Sequence, residues 1–332
     1  MTDPSGEGPQ GSAPPVPPRG AEPPRPEPDV SVVIPVYNEE GNLEPLSERL
    51  HRVLTGVGRP FEVIFVDDGS RDRSLEILRR LQEKHKEFRV IQLNRNYGQH
   101  AAVFAGLDHT RGGVIVTLDA DLQNPPEEIP RLLDKIAEGH DVVGGWRQDR
   151  QDHALRRVLS WVVNRWTSRL VGVRMRDYGC MLRAYRREVV EVLKGCSEVS
   201  SFIPALANTF AGSPTEVPVR HDRRNQGHSK YSPFRLIRLN FDLMTGFSLF
   251  PIQVVSLAGI GISLLGLGFG GFLMVRRLWL GPESEGLFTL FAILFVFVGI
   301  QILALGLIGE YIGRIYMEVR RRPRYVVQRI YE

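Results

Sequence analysis

The first half of the chain alternates short apolar runs with amphipathic segments. The apolar runs are rich in β-branched residues and predict strands, the first of which ends at Pro35; they lie at 31–35, 61–66, 89–93, 114–118 and 141–144. The segments 43–54 and 72–84 have apolar positions at helical spacing, and another helical stretch follows His100. A repeated order of strand, polar strand end and helix indicates an α/β fold with a mostly parallel, Rossmann-like sheet.

Polar residues follow four of the predicted strands directly. They are Asn38, Glu39, Asp67, Asp68, Asn96, Asp119 and Asp121. One such residue alone would be ordinary turn chemistry, because turns favour Asn, Asp and Gly. Ligands of parallel α/β sheets bind outside the carboxyl ends of the strands, so four polar ends together predict one ligand-binding edge. The fifth strand delivers Arg147 to the same edge.

The fourth apolar run leads directly into two carboxylates one residue apart. In an extended chain, Asp119 and Asp121 point to the same side of the backbone, so their hard oxygen donors converge where the strand stops. Such donors select Mg²⁺ or Mn²⁺, with phosphate oxygens and water as the remaining ligands. Gln123 lies on the same alternation, and it either completes the metal shell or caps the helix that begins at 125–128.

Two long apolar segments follow in the second half of the chain. Residues 251–275 and 287–308 contain no charged residue, and as helices both exceed a hydrocarbon core of roughly 30 Å. They predict a transmembrane hairpin. Its 276–286 loop carries two arginines, whereas the flanks carry Lys230, Arg235, Arg238, Arg314, Arg320, Arg321, Arg322 and Arg324. The excess of flanking cations predicts that both ends of the protein lie in the cytoplasm.

Three segments before the hairpin allow two interpretations each. Residues 153–170 form an amphipathic helix that either packs on the core or lies in the membrane interface. Residues 177–187 read as a turn into a basic helix start, with Asp177 as a catalytic carboxylate or an N-cap. The loop 224–231 is suited to holding a phosphate through Arg224, Ser229 and Lys230, or it is an ordinary exposed loop. Residues 234–247 are again amphipathic.

Composition narrows the classes of function that fit. The net charge of +4 comes without a zinc-finger spacing or RNA-binding signature, so we expect no nucleic-acid partner. Two cysteines without CxxC spacing indicate neither a disulfide framework nor a zinc site. The first thirty residues contain ten of the 23 prolines and no signal-peptide core. They predict a disordered cytosolic tail, or alternatively a recognition ligand.

The motifs at 33–40, 66–70 and 118–121 resemble the inverting family 2 glycosyltransferases of the GT-A fold. The two-helix tail resembles the polyprenyl-phosphate members of that family. Further stretches are similar to the branch that transfers 4-deoxy-4-formamido-L-arabinose to undecaprenyl phosphate; they lie at 94–100, 118–132, 177–187, 201–204 and 227–232. Gln99 stands where many glucosyl and mannosyl enzymes have Lys, in agreement with this branch. The Gln-x-x-Arg-Trp of polysaccharide synthases is absent, because Val162 replaces its Gln.

The resemblance implies roles for specific residues. The nucleotide sugar, a UDP- or GDP-sugar, would contact Pro35, Tyr37, Asn38, Glu39, Asp67, Asp68, Asn96, Gly98 and Asp119. Mg²⁺ or Mn²⁺ would be held by Asp119, Asp121 and Gln123. The polyprenyl phosphate would be held by Arg147, Arg224, Ser229 and Lys230. The catalytic residues would be Asp121, Asp177 and Arg147. Relatives also suggest a homo-oligomer such as a tetramer in the bacterial inner membrane.

On this reading the chain divides into five parts: a Pro-rich tail (1–30), a GT-A catalytic domain (31–232), a juxtamembrane amphipathic segment (233–250), a transmembrane hairpin (251–308) and a cytoplasmic C-terminal segment (309–332). The acceptor phosphomonoester has a second pKa near 6, so we expect it to arrive ionised and to need no protein base. Asp177 would then position the acceptor or the donor, and a general-base role is the alternative. Two alternatives are a glucosyl- or mannosyltransferase, and a non-catalytic membrane scaffold that binds nucleotide sugars or lipid phosphate.

Overall fold

The computed structural model describes residues 27–147, 177, 179–196, 202–222, 250–280, 287–320 and 322–332. Within these residues, eight strands form one mixed sheet: β1 (Val30–Val36), β2 (Phe61–Asp67), β3 (Phe88–Leu93), β4 (Val114–Thr117), β5 (Val142–Arg147), β6 (Arg183–Arg186), β7 (Pro214–Val219) and β8 (Val327–Tyr331). Their order across the sheet is β7-β5-β6-β4-β1-β2-β3-β8. The predicted α/β class is therefore confirmed.

The centre of the sheet is parallel, as the sequence pattern predicts. β1 pairs with both β2 and β4, and β2 pairs with β3. β1 runs to Val36 and not only to Pro35, which pairs with Val66. Pro35 is tolerated in a central strand because the pairing with β4 already ends at Val33 and Thr117, so its missing N–H removes no ladder bond on that side.

Helices cover both faces of the sheet and bury its apolar side chains. They are α1 (Leu43–Val57), α2 (Ser74–Lys84), α3 (Gln99–Asp108), α4 (Ile129–Ala137), α5 (Arg187–Gly195) and α6 (Ile203–Phe210). One apolar cluster joins α1, α2 and α4 to one face, and a second joins α3, α5 and α6 to the other. β1 contributes alternate residues to the two clusters, with Val32 in one and Val33 in the other.

The prediction of a helix start within 177–187 is wrong for most of that segment. Residues Arg183–Arg186 form β6, antiparallel to both β4 and β5, and α5 begins only at Arg187. Arg183 is fully buried, and its guanidinium donates to the carbonyls of Cys180 and Asp177, both at 2.9 Å. Main-chain carbonyls thus satisfy a cation that the sequence pattern places on a solvated helix.

The antiparallel strand β6 preserves the predicted direction of β5. Because β6 lies between β4 and β5 and opposes both, β5 runs parallel to β4. β5 is longer than predicted and includes Arg147, and it pairs with β7 in parallel. The end of β5 therefore lies at the same edge as the ends of β1 to β4.

Two long apolar helices follow, α7 (Phe250–Leu280) and α8 (Leu287–Val319). Segments 252–279 and 296–317 are long and apolar enough to cross a membrane, and neither is buried within the chain. Leu265 and Leu278 are each 76% exposed. Apolar surface of this extent needs a lipid environment, so the chain is membrane-associated. Both helices extend beyond the predicted spans, which end at 275 and 308.

The last residues of the chain return to the sheet. β8 pairs antiparallel with β3 and covers its outer edge. The Arg89 guanidinium binds Glu332, and it also lies 3.0 Å from the Glu62 carboxylate. The Tyr331 hydroxyl donates to the Gln92 side chain at 3.1 Å. The sequence pattern places 309–332 in a separate segment and does not predict this strand.

Candidate active site at the carboxyl ends of the strands

Asp67 and Asp68 end β2, and main-chain N–H groups hold both carboxylates. Asp68 accepts from the N–H of Tyr97 at 2.7 Å and from that of Gly98 at 2.9 Å. Asp67 accepts from the N–H of Ser70 at 3.2 Å. Both side chains are nearly fully buried, and burial raises the pKa of each carboxyl above its ordinary value, while these hydrogen bonds oppose the rise. The pair thus connects the ends of β2 and β3.

The loop after β1 is fixed to the loop after β2. Asn38 adopts a left-handed conformation with φ 56°, and its side-chain oxygen accepts from the N–H of Arg71 at 2.8 Å. The N–H groups of Asn38 and Glu39 donate to the hydroxyls of Ser70 and Ser74, at 3.1 and 2.9 Å. Asn38 therefore supports the shape of this edge, whether or not it contacts a ligand.

Gly69 allows the loop after β2 to lie directly against the loop after β3. It has φ +65°, and a Cβ atom there would lie 2.6 Å from the main-chain carbon of Arg95. No side chain fits at that distance, and a left-handed conformation strains residues other than glycine. The glycine after Asp67 and Asp68 is thus required by packing between two main chains.

Asp119 and Asp121 follow β4, as the sequence predicts. The Asp119 carboxylate accepts from the Gln99 side chain at 2.5 Å, and that of Asp121 accepts from the N–H of Gln123 at 3.1 Å. Between them and Gln123 lies Leu122, a buried residue with φ 62°. A left-handed leucine is rare, and strain of this kind costs about 1–3 kcal/mol and concentrates at functional sites.

The surroundings of Asp119 disfavour its negative charge. Burial and the neighbouring charge of Asp121 raise the pKa of Asp119 to about 7, although Arg147 and the hydrogen bond from Gln99 oppose the rise. Among the described residues, no main-chain N–H donates to the Asp119 carboxylate, in contrast to Asp68. The end of β4 therefore carries negative charge that its protein neighbours compensate only in part.

This donor set fits a hard divalent cation. Two carboxylates at alternate positions provide oxygen ligands, and their mutual repulsion is of the kind that a bound cation relieves. The Gln123 main chain is fixed, because its carbonyl accepts from the N–H of Asp222 at 2.9 Å. The alternative that Gln123 caps a helix is wrong: neither the 3₁₀ turn Pro126–Glu128 nor α4 has a side-chain cap.

Arg147 forms a two-point ion pair with Asp177. Its Nε lies 2.6 Å from one carboxylate oxygen and its Nη2 lies 3.0 Å from the other. The two side chains are 18% and 6% exposed. The N–H of Gly179 also donates to Asp177 at 3.0 Å. Asp177 is followed by β6, so the N-cap alternative is wrong, and a carboxylate bound in this way is poorly suited to accept a proton.

Some of the remaining predicted site residues lie within the described part of the chain, and others lie outside it. Pro35 and Tyr37 are partly exposed at the end of β1, and Asn96 is exposed after β3. Gly98 precedes α3 with φ 97°, a conformation that suits glycine, and its N–H binds Asp68. Arg224, Ser229 and Lys230 lie outside the described residues, as do the helix predicted at 153–170 and the segment 234–247.

Sequence reasoning did not identify three features of the site. The sequence shows Gln99 only as a residue that stands where many related enzymes have Lys, yet its side chain contacts Asp119. The left-handed Leu122 carries no sequence signal, since leucine is not a residue expected there. The pairing of Arg147 with Asp177 was also missed, although both residues were predicted individually.

Comparisons with known proteins identify the family of this chain. Residues 31–193 match the model of glycosyl transferase family 2. The undecaprenyl-phosphate 4-deoxy-4-formamido-L-arabinose transferase of Pseudomonas aeruginosa strain LESB58 is 53% identical over 304 residues, or 91% of this chain and 90% of that protein. The enzyme of the same name from Klebsiella pneumoniae strain 342 is 52% identical over 91% of this chain and 93% of its own length.

Solved structures show more distant likeness. Glucosyl-3-phosphoglycerate synthase from Mycobacterium tuberculosis, in complex with Mn²⁺, UDP and glucosyl-3-phosphoglycerate, aligns with a TM-score of 0.48 at 19% identity, covering 66% of this chain and 78% of that chain. The Staphylococcus aureus TarS 1–349 structure aligns with a TM-score of 0.40 at 20% identity, covering 57% and 58%. The family rests on the sequence relatives: this chain belongs to glycosyl transferase family 2, in the same family as the undecaprenyl-phosphate 4-deoxy-4-formamido-L-arabinose transferases.

Proposed function

We propose that this chain transfers 4-deoxy-4-formamido-L-arabinose from a UDP carrier to undecaprenyl phosphate, with inversion at the anomeric carbon. One observation carries the proposal: the incompletely compensated carboxylates of Asp119 and Asp121 lie at the same strand edge as the Arg147–Asp177 pair. The relatives that are 53% and 52% identical to this chain over 304 aligned residues support the choice of sugar and acceptor.

The reaction exchanges one bond at the sugar for another. A phosphate oxygen of the acceptor forms a bond to the anomeric carbon, and the bond from that carbon to the UDP oxygen breaks with its electron pair leaving on UDP. The acceptor is mostly a dianion at neutral pH, so no proton has to be removed from it. The two hydrogen bonds that Asp177 accepts from Arg147 support a mechanism without a protein base.

The protein side chains act by placing charge. Asp119 and Asp121 would hold Mg²⁺ or Mn²⁺, which when bound supplies positive charge to the leaving diphosphate. Arg147 lies close enough to Asp119 to lower its pKa, so its guanidinium adds positive charge to the same edge. Asp177 positions that guanidinium through two hydrogen bonds, which fixes its plane. We further propose that Arg224, Ser229 and Lys230 hold the acceptor phosphate.

We propose different roles for Asp67 and Asp68 in the nucleotide site. Asp68 uses both oxygens on main-chain N–H groups, so we propose that it shapes the nucleotide site without reading the base. Pro35, Tyr37, Glu39, Asn96 and Asp67 remain proposed nucleotide contacts. Charges flanking α7 and α8 support a catalytic domain on the cytoplasmic side of a bacterial inner membrane, where nucleotide sugars are available.

A donor panel tests the proposal. Membranes containing the chain are incubated with undecaprenyl phosphate and with UDP-4-deoxy-4-formamido-L-arabinose, UDP-glucose or GDP-mannose, and lipid products are identified by mass spectrometry. We expect product from the first donor only, loss of product after chelation of divalent ions, and recovery with Mg²⁺ or Mn²⁺. NMR of the product should show the inverted configuration at the anomeric carbon.

The alternatives predict other results in the same assay. Preference for UDP-glucose or GDP-mannose would establish a glucosyl- or mannosyltransferase. A scaffold would bind the donor and form no lipid-linked sugar. Asp121→Asn serves as the inactive variant, and Asp134→Asn, the same change at an exposed position of α4, serves as its matched control.

A further inference from the structure

A second cluster of metal-ligand side chains lies at the opposite edge of the sheet. His51 lies on α1, His85 directly follows α2, and Glu87 precedes β3. Because β3 starts at this edge and ends at the candidate active site, the two clusters are separated by the length of the strand. The imidazoles border an open groove of about 460 Å³, lined by Glu48, His51, Arg52, Thr55, Lys84 and His85.

The three side chains are close enough to share one ion. One ligand atom from each of His51, His85 and Glu87 lies within 4.8 Å of the other two. The imidazole ring centroids are 4.5 Å apart, with the rings tilted by 41°. Around a tetrahedral zinc with bonds of about 2.1 Å, ligand atoms lie about 3.4 Å apart, so two ligand atoms that are 4.8 Å apart need to approach by about 1.4 Å.

The main chain that carries two of these ligands is fixed. The N–H of His85 donates to Leu81 at 3.0 Å, and its carbonyl accepts from Phe88 at 3.0 Å. The carbonyl of Glu87 accepts from the N–H of Val63 at 2.9 Å. Only rotations of the side chains are therefore needed to close the site, and these cost little compared with ordering a loop.

Aromatic packing alone does not account for the cluster. The His85 ring contacts Phe88 with centroids 4.7 Å apart, and the His51 ring meets Phe61 edge-on at 6.0 Å, so both rings cover apolar surface. That packing does not require a carboxylate within reach of both imidazoles. Within the described part of the chain, neither imidazole forms a hydrogen bond, and their nitrogen lone pairs are available to a ligand.

We propose that His51, His85 and Glu87 bind a divalent first-row transition-metal ion such as Zn²⁺, at a site separate from the Asp119–Asp121 pair. Two imidazoles and one carboxylate suit Zn²⁺, Ni²⁺ or Co²⁺, whereas an all-oxygen site suits Mg²⁺ or Mn²⁺. Glu48 and Glu87 balance the charges of Arg52 and Lys84 around the groove. The bound ion joins α1 to the connection between α2 and β3, and so stabilises the folded chain.

The experiment is a titration of the full-length chain in detergent with Zn²⁺, after removal of any histidine tag. Excess Mg²⁺ is present so that the Asp119–Asp121 pair is not available to zinc. We expect one equivalent of Zn²⁺ by calorimetry and a rise of a few degrees in Tm. Binding should weaken by about 100-fold in His51→Asn and His85→Asn and by about 10-fold in Glu87→Gln.

His140→Asn is the matched control, because His140 is a partly exposed histidine outside the cluster, and its ring bonds to Ser213. Its zinc binding should equal that of the unaltered chain. The proposal is overturned if the unaltered chain binds no zinc under these conditions, or if the His51 and His85 variants bind it with unchanged affinity.

A second measurement tests the site on the unaltered chain, so it remains valid if the variants fail to fold. The unaltered chain is treated with diethyl pyrocarbonate with and without Zn²⁺, and the modified histidines are mapped by mass spectrometry. Zn²⁺ should protect His51 and His85 several-fold and leave His140 unchanged. Equal modification of His51 and His85 in both conditions would exclude the site. None of these readouts involves sugar transfer, so the result is independent of the proposed function.

Discussion

The ends of β2 and β4 look alike in the sequence and differ in the structure. Each carries two carboxylates, Asp67 and Asp68 in one case and Asp119 and Asp121 in the other. Asp68 accepts two main-chain N–H groups, whereas Asp119 accepts only the Gln99 side chain among the described residues. The first pair shapes loops, and the second leaves negative charge for a ligand to neutralise. The hydrogen-bond donors around a carboxylate, and not its position at a strand end, distinguish a carboxylate that fixes the loops from one that can bind a cation.

The largest effect is expected from Asp121→Asn at the end of β4. Asn keeps the oxygen that accepts from Gln123 and removes the negative charge, so the fold should be unchanged. We expect the rate of sugar transfer to fall by about 1,000-fold, equivalent to about 4 kcal/mol of transition-state stabilisation. The rate is measured as lipid-linked sugar formed, with Tm measured on the same sample. Near-normal turnover would remove the distinction between the two strand ends.

A smaller effect on activity is expected from Arg147→Lys. Lysine keeps the positive charge near Asp119 and cannot make both hydrogen bonds to Asp177. We expect kcat to fall by about 10- to 100-fold with a smaller change in the KM for the donor, because the cation is displaced and not removed. Steady-state kinetics on the purified chain separate the two parameters. Full activity would show that the guanidinium plane is not needed.

Asp68→Asn should act on stability more than on chemistry. The amide NH₂ of Asn would face a main-chain N–H of Tyr97 or Gly98 and leave it unsatisfied, at a cost of about 1–3 kcal/mol. We expect a Tm lower by several degrees and a rate per folded molecule within a few-fold of normal. Thermal unfolding in detergent and a donor-binding titration test this. An unchanged Tm with lost donor binding would support the nucleotide contact that the sequence predicts.

The smallest effect is expected from Gln99→Ala. This change removes the hydrogen bond to Asp119 and leaves the two carboxylates in place. We expect a decrease in rate of only a few-fold, because this hydrogen bond is exposed and water can replace the Gln99 amide as the donor to the carboxylate. The same transfer assay measures it, with Asp134→Asn as reference. A loss above 100-fold would mean that Gln99 contacts the substrate or the cation directly.

The sequence predicts the part of the fold in which local pattern and environment agree. β1 to β4 are buried on both faces, so they appear as continuous apolar runs, and their polar ends mark the edge correctly. β6 is different, because it has only four residues and two of them are arginines. Arg183 is satisfied by carbonyls of residues that precede it, and no periodicity reveals such contacts.

The candidate site likewise has features that the sequence predicts and features that only the folded chain shows. Asp119 and Asp121 could be predicted because alternation along a strand places both on one side. The ion pair between Arg147 and Asp177 joins residues thirty positions apart, and only the folded chain shows that both carboxylate oxygens are used. The strain at Leu122 depends on the main-chain conformation, which residue type does not reveal.

The position of β8 sets an order of events during synthesis of the chain. The strand that covers the outer edge of β3 leaves the ribosome after both α7 and α8. Until then β3 exposes unpaired main-chain groups, and Arg89 lacks Glu332. The sheet is therefore completed only after the apolar helices have been made. The catalytic domain reaches its final fold only once both helices that associate with the membrane have been synthesised.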